Sequence, residues 1–175
     1  MNKNSNIYGE NFDIKYHPIG TIRSPFKHLS EMPIQPSGAK GVRGRIIVDK
    51  EYEEALSDLY GFSHIMLLYH FHKSKKFNPK VKPFLDDVER GLFATRAPAR
   101  PNPMGISIVK ILEIDKNVLQ IENVDILDGT PLLDIKPYVP RFDVVEEEVR
   151  TGWLEKKADR VGRVKADDRF AGAGK

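Results

Sequence analysis

Along this 175-residue chain, apolar positions mostly alternate with polar ones in short stretches, and they recur at helical spacing only once. The stretch 19–22 and the β-branched run 42–48, opened by Gly41 and Gly44, predict two strands separated by a long proline-bearing loop. Asp49 is placed to cap a short helix over 50–59, where Tyr52, Ala55, Leu56 and Leu59 follow i, i+3, i+4, i+7 spacing before Gly61 ends it. The most apolar run, SHIMLLYHF at 63–71, is too short for a helix and rich enough in aromatic and branched side chains to predict a buried strand. Runs 106–114 and 118–126 predict a hairpin turning on Asp115, Lys116 and Asn117. Between these elements, 73–90 has two prolines and little periodicity, which predicts a mobile loop with one helical turn at 84–88.

Five or more short strands with one early helix, and no βαβ alternation, predict a mainly β fold. A small β-barrel or sandwich fits this pattern and a doubly wound sheet does not. After Tyr138 the pattern fades: 141–175 carries nine basic and eight acidic residues and one large anchor, Trp153. A short helix at 151–157 docked through Trp153 and Leu154 is expected, with a mobile remainder past Asp159, because few apolar groups remain there to offset the ordering entropy.

Composition narrows the function classes. Zero cysteine excludes disulfides, thiolate metal sites and a cysteine nucleophile. The chain contains no apolar run long enough to cross a membrane, and its N-terminus has no apolar core or cleavage site of a secretory signal, so a cytoplasmic protein is expected. The net charge of +3 conceals an asymmetry: 71–110 holds nine basic residues against three acidic ones, a segment of +6 that leaves −3 for the rest. Such a face suits a polyanion, since Lys and Arg that neutralise phosphates release condensed counterions.

Three constellations carry chemistry. ATRAPARPNPMG, 94–105, sets Arg96, Arg100 and Asn102 among three prolines, a stiff frame that lowers the ordering cost of binding a carboxylate or phosphate. Alternation along 118–126 puts Leu119, Ile121, Asn123 and Asp125 on one face, which sends an acid to the mouth of an apolar surface, while an extended DIKPY would align Asp134, Lys136 and Tyr138. His64, His70 and His72 stand at even intervals and face one side of their strand, and His70 with His72 forms an HxH pair of the kind that binds metal, without a fixed third ligand. Asp128 and Gly129 are a turn signal. No GxSxG elbow, Walker loop or GxGxxG is present.

Five ordered blocks then identify a relationship: IGTIRSPF (19–26), MPIQPSG (32–38), YGFSHIMLLYHFHKS (60–74), FATRAPARPNPMG (93–105) and DILDGTPLLDIKPYVP (125–140). In order and spacing they resemble the TrmO family, also called TsaA-like, from about Tyr16 to Pro140. The resemblance implies a 16–140 barrel domain followed by a 141–175 extension. It implies a homodimeric β-barrel methyltransferase that uses S-adenosylmethionine to methylate the N6 nitrogen of threonylcarbamoyl-adenosine beside the anticodon of tRNA. By position it implies cofactor contacts at Gln35, Pro36, His72, Lys73, Arg96, Ile106 and the stretch Glu122, Asn123, Val124 and Asp125.

Direct methyl transfer needs alignment and an acceptor for the proton of the attacked nitrogen, for which Asp125, Asp134 and Tyr138 are the candidates. Arg100, Asn102 and Lys136, with Arg96, are candidates for the substrate's carboxylate or for tRNA phosphates. Two other readings stay open: a tRNA- or S-adenosylmethionine-binding barrel without turnover, and a metal-dependent hydrolase using His70 and His72.

Overall fold

The computed structural model describes residues 14–74, 76–159 and 164–171. The N-terminal stretch read for export signals therefore lies largely outside the described residues, as do Lys75 of the basic segment and the last residues of the extension. In chain order the strands are β1 (Gly20–Arg23), β2 (Arg43–Val48), β3 (His64–His70), two short strands β4 (Lys80–Val81) and β5 (Arg90–Gly91), β6 (Met104–Asp115), β7 (Val118–Glu122) and β8 (Thr130–Pro137). Six of them close an antiparallel barrel in the order β1-β2-β7-β6-β3-β8, and β4 and β5 pair as a separate small sheet. Closure satisfies the backbone groups that an open sheet would leave at its edges.

Period-two patterning explains the interior. On β3, Ile65, Leu67 and Tyr69 are buried while His64, Met66, Leu68 and His70 are partly exposed. With Ile22, Ile46, Val48, Val109, Leu119, Ile121 and Leu132 they fill the barrel. Each large aliphatic buried this way contributes about 1.5–3 kcal/mol. The strands expected at 19–22, 42–48 and 63–71 are present within one residue at each end.

The hairpin turns on Lys116 and Asn117, with Asp115 paired to Val118 and Lys116 at φ 53. Its second arm is shorter than expected. β7 stops at Glu122 because Asn123 adopts a left-handed φ of 70, held by Gly41 N, which donates to its Oδ1 at 3.0 Å.

The helix expected at 50–59 is instead two 3₁₀ segments, Lys50–Leu56 and Leu59–Gly61. Asp58, at φ 67, interrupts the periodic run, and Asp49 makes no side-chain cap. The stretch 73–90 carries β4 and β5 and no helix at 84–88. Asp86 explains this order: its side chain is 2% exposed, accepts from the backbone N–H of Asp87, and is paired with Arg90 at 2.7 Å and Lys157 at 2.6 Å.

The extension is also more attached than its composition implied. The expected helix at 151–157 is a single turn, Gly152–Leu154, in which Trp153 Nε1 donates to Ala94 O at 2.8 Å and the Arg90 guanidinium lies 5.7 Å from the indole. Of the expected mobile remainder only 164–171 lie among the described residues, and there Phe170 is buried in a second apolar cluster with Val81, Leu92, Ala97 and Ala99. A short helix α1 (Pro140–Asp143) links barrel and extension. Among the described residues no helix is long and apolar enough to cross a membrane.

Candidate functional site

A cavity of about 340 Å³ opens where β3 ends and β6 and β8 begin. Its size falls in the range of roughly 300–1,000 Å³ typical of small-molecule sites. Apolar and aromatic side chains, Met32, Ile34, Tyr69, Phe71 and Ile126 among them, form most of its wall. A few polar groups converge on it: Gln35, His72, Lys73, Arg96, Arg100, Asp125 and Thr130.

Asp125 is the one buried carboxylate in that wall. The left-handed turn at Asn123 redirects the chain, and Val124 and Ile126 on either side are fully buried, so Asp125 enters the barrel mouth from a turn rather than by continued strand alternation. Ser107 Oγ, on an inward position of β6, donates to Asp125 Oδ1 at 2.7 Å. Because that donation uses the serine's proton, Tyr69 OH donates to Ser107 Oγ, at 3.0 Å. Burial pushes the Asp125 carboxyl up to about 6, opposed by the Ser107 hydrogen bond and the positive charge of Arg96. Burial likewise raises the Tyr69 phenol, reinforced by the Asp125 charge, so it stays protonated and serves as a donor.

The cations come from two loops. Arg96 donates to Gln35 Oε1 at 2.7 Å, joining the FATR block to the QPSG loop across 61 residues. Arg100 donates to Thr95 O at 3.0 Å and stacks 5.5 Å from the Phe93 ring, so its guanidinium braces its own loop at the cavity wall. His72 lies beyond the end of β3, which separates it from the outward-facing His64 and His70; its Nδ1 is 3.5 Å from Thr130 Oγ1. Burial and the neighbouring Lys73 lower the His72 pKa, favouring the neutral ring.

Of the residues singled out in the sequence, Gln35, His72, Lys73, Arg96, Arg100, Ile106 and Asp125 therefore meet at one cavity. The others do not line it. Pro36 opens the next turn, Asn102 sits in the exposed bend before β6, Glu122 closes β7, Asn123 receives Gly41 N, and Val124 is core.

Asp134 and Lys136 pair with each other at 2.8 Å on the partly exposed side of β8, and the Tyr138 ring rests edge-on against His64, beyond the far end of β3. A register shift between Leu68 and Tyr69 takes Asp134 out of the inward alternation of Thr130 and Leu132. Sequence reading missed Tyr69, Ser107, Thr130 and Phe170. For Ser107 a signal existed, a hydroxyl at an inward position between Gly105 and Val109; for Phe170 there was none.

Asp128 and Gly129 behave as a turn, as expected. Asp128 accepts from Ser24 N at 3.1 Å and Lys27 Nζ at 2.7 Å, and Gly129 has φ 76.

Comparison with known proteins places this geometry. The family model described as the tRNA-methyltransferase O N-terminal domain matches residues 21–144. A probable S-adenosyl-L-methionine-binding protein of Pyrococcus abyssi is 54% identical over 157 residues, 90% of this chain and 85% of its own. A tRNA (adenine(37)-N6)-methyltransferase of Escherichia coli is 37% identical over 136 residues, 72% of this chain and 58% of that one. The crystal structure of TrmO from Pseudomonas aeruginosa superposes with a TM-score of 0.68 at 38% identity, covering 81% of this chain and 63% of that one. The chain thus spans less than two thirds of these two bacterial proteins. Matched across its barrel by the family model and built on the same fold as a solved member, the chain belongs to the tRNA-methyltransferase O N-terminal-domain family.

Proposed function

We propose that the chain is an S-adenosylmethionine-dependent tRNA methyltransferase that modifies N6 of an adenosine beside the anticodon, with threonylcarbamoyl-adenosine as the acceptor. The observation that carries this reading is a buried carboxylate, raised to about 6, at the mouth of a largely apolar cavity that also holds Arg96 and Gln35. The relatives' names support the cofactor and the substrate class. The cavity fits a ligand with a flat apolar ring and a charged amino-acid end, since apolar walls and a few placed polar groups occur together in it. Gln35, His72, Lys73, Arg96, Ile106 and Asp125 would hold S-adenosylmethionine, which supplies an electrophilic methyl group when bound.

Asp125 accepts the proton that the attacked nitrogen gives up, and the Ser107–Tyr69 chain fixes which way its carboxylate points. Arg100 and the exposed lysines Lys76, Lys80 and Lys82 of the basic segment face the nucleic acid. Asp134 and Tyr138 stand outside the cavity of a single chain, so the reading gives the proton step to Asp125; Asn102 and Lys136, also outside it, remain candidates for contact with the nucleic acid. The 16–140 barrel is the catalytic unit, 141–175 is its extension, and the enzyme works in the cytoplasm, where its substrate would be met.

The active form is a homodimer. Outward positions Met104, Ile106 and Ile108 of β6 form an apolar stripe, each 38–56% exposed, and Ile106 also lines the cavity, so a second copy seated there would reach the site.

The test is methyl transfer from labelled S-adenosylmethionine to total tRNA from cells lacking this protein, read by nucleoside mass spectrometry. One added methyl on threonylcarbamoyl-adenosine is the expected result. Cofactor binding with no methyl incorporated into any tRNA would instead favour a binding barrel.

A further inference from the structure

The family match ends at residue 144, yet the cavity wall does not: Ala166, Asp167 and Phe170, from the extension, line it as well. The segment 165–171 is held at both ends by loops that themselves border the cavity. Ala166 N donates to Met32 O at 2.8 Å beside a bridge between Lys165 and Pro33, and Ala171 is bridged to Ser74.

Between these ends Arg169 acts as a latch. Its guanidinium stacks 4.8 Å from the Phe84 ring, donates to Pro83 O at 3.1 Å and forks onto the Asp167 carboxylate at 2.7–3.0 Å. That fork holds the Asp167 carboxyl below its ordinary range. Phe170 then packs edge-on against Phe84, ring centroids 5.2 Å apart at 83°. Ordering such a segment costs backbone entropy, and these contacts offset it.

We propose that segment 165–171 is a wall of the cofactor site. Phe170, backed by Phe84, is the apolar surface on which the purine of S-adenosylmethionine packs, and Arg169 holds that surface in place. The proposal rests on the assignment of this cavity to the cofactor. Purine is the flat apolar part of that ligand. Two edge-on aromatic pairs line the cavity: Tyr69–Phe71 carries the hydroxyl tied through Ser107 to Asp125, whereas Phe84–Phe170 is all hydrocarbon and suits the purine, leaving Asp125 and Arg96 for the amino-acid and sulfonium parts.

The test is calorimetric titration of S-adenosylhomocysteine into the full chain and into Phe170→Ala, Arg169→Ala and Leu92→Ala. Leu92 shares the Phe170 cluster without lining the cavity, so it reports the effect of cluster stability alone. Phe170→Ala is expected to raise Kd about tenfold and Arg169→Ala several-fold, with Leu92→Ala lowering the melting temperature at nearly parental affinity. Amide exchange in 165–171 should slow when the ligand is added to the parent, a readout that holds even if Phe170→Ala does not fold.

Parental affinity in Phe170→Ala and Arg169→Ala, with exchange unchanged by ligand, would overturn the proposal and leave the cofactor assignment standing. Equal weakening in Leu92→Ala would also overturn it. A parent chain that binds no ligand at all would remove the cofactor assignment and this wall with it.

Discussion

Ser107 Oγ donates to Asp125 Oδ1 at 2.7 Å, linking the barrel interior to the carboxylate at its mouth. The pair joins an inward position of β6 to the turn after β7, 18 residues apart in sequence. Its consequence is an acid that is oriented by a neutral donor and only half-ionised near the upper end of acidic pH.

Asp125→Asn keeps an acceptor for Ser107 but cannot take a proton. Methyl transfer should fall by about 10²–10⁴-fold, and the parent's rate, which should rise through about pH 6 as the carboxylate forms, should become flat with pH in the variant. Stability should move the other way. The folded pKa lies above the unfolded value of 3.8, so the folded chain binds the extra proton between about pH 4 and 6, and the stability this contributes is lost as pH rises through that window. At about pH 8 the variant should be more stable than the parent by up to about 3 kcal/mol, measured by denaturant unfolding across pH.

Ser107→Ala removes a hydrogen bond that favours the ionised carboxylate and strands the Tyr69 hydroxyl. The acidic limb of the pH–rate profile should shift upward, and unfolding should become easier by about 1–3 kcal/mol. A profile that keeps its midpoint would show that Ser107 does not set the Asp125 carboxyl.

Gly105 has no room for a side chain. A Cβ there would stand 2.8 Å from Phe71 Cζ and closer still to the Tyr69 ring. Gly105→Ala should displace Tyr69, break its bond to Ser107 and reduce both stability and methyl transfer, whereas Gly91→Ala, with open space around it, should change neither. Melting curves and tRNA methylation of the two variants make the comparison.

Asp86 joins the small β4–β5 sheet to the extension through Arg90 and Lys157, and those two partners hold its carboxyl far below the usual range. Asp86→Asn should lower the melting temperature at neutral pH by several degrees and make the segment around Lys157 easier to cleave by proteolysis. Because the folded pKa is depressed, the stability this site contributes is present above the ordinary aspartate value and is lost as pH falls toward the folded one. The difference between parent and variant should therefore shrink in strong acid.

The sequence by itself determined where most barrel strands lie. Period-two burial is a local property of β3, β6 and β7, and it is written in residues such as Ile65 and Leu67, or Leu119 and Ile121. It also determined that Asp125 and Arg96 were candidates, because an acid at the end of an apolar face and guanidiniums in a proline frame are visible locally. What it misjudged were features set by contacts distant in the chain.

Asp134 turns out of the inward alternation of β8 because of a register shift against β3, and Asn123 leaves the strand face because Gly41, 82 residues away, captures its side chain. Phe170 is held by Phe84, and the turn around Asp86 is tied down by Lys157 reaching back to it across 71 residues. Only tertiary structure decided these, since the free energy that orders them comes from partners brought together when the barrel closes, and no periodicity along the chain records which partners will meet.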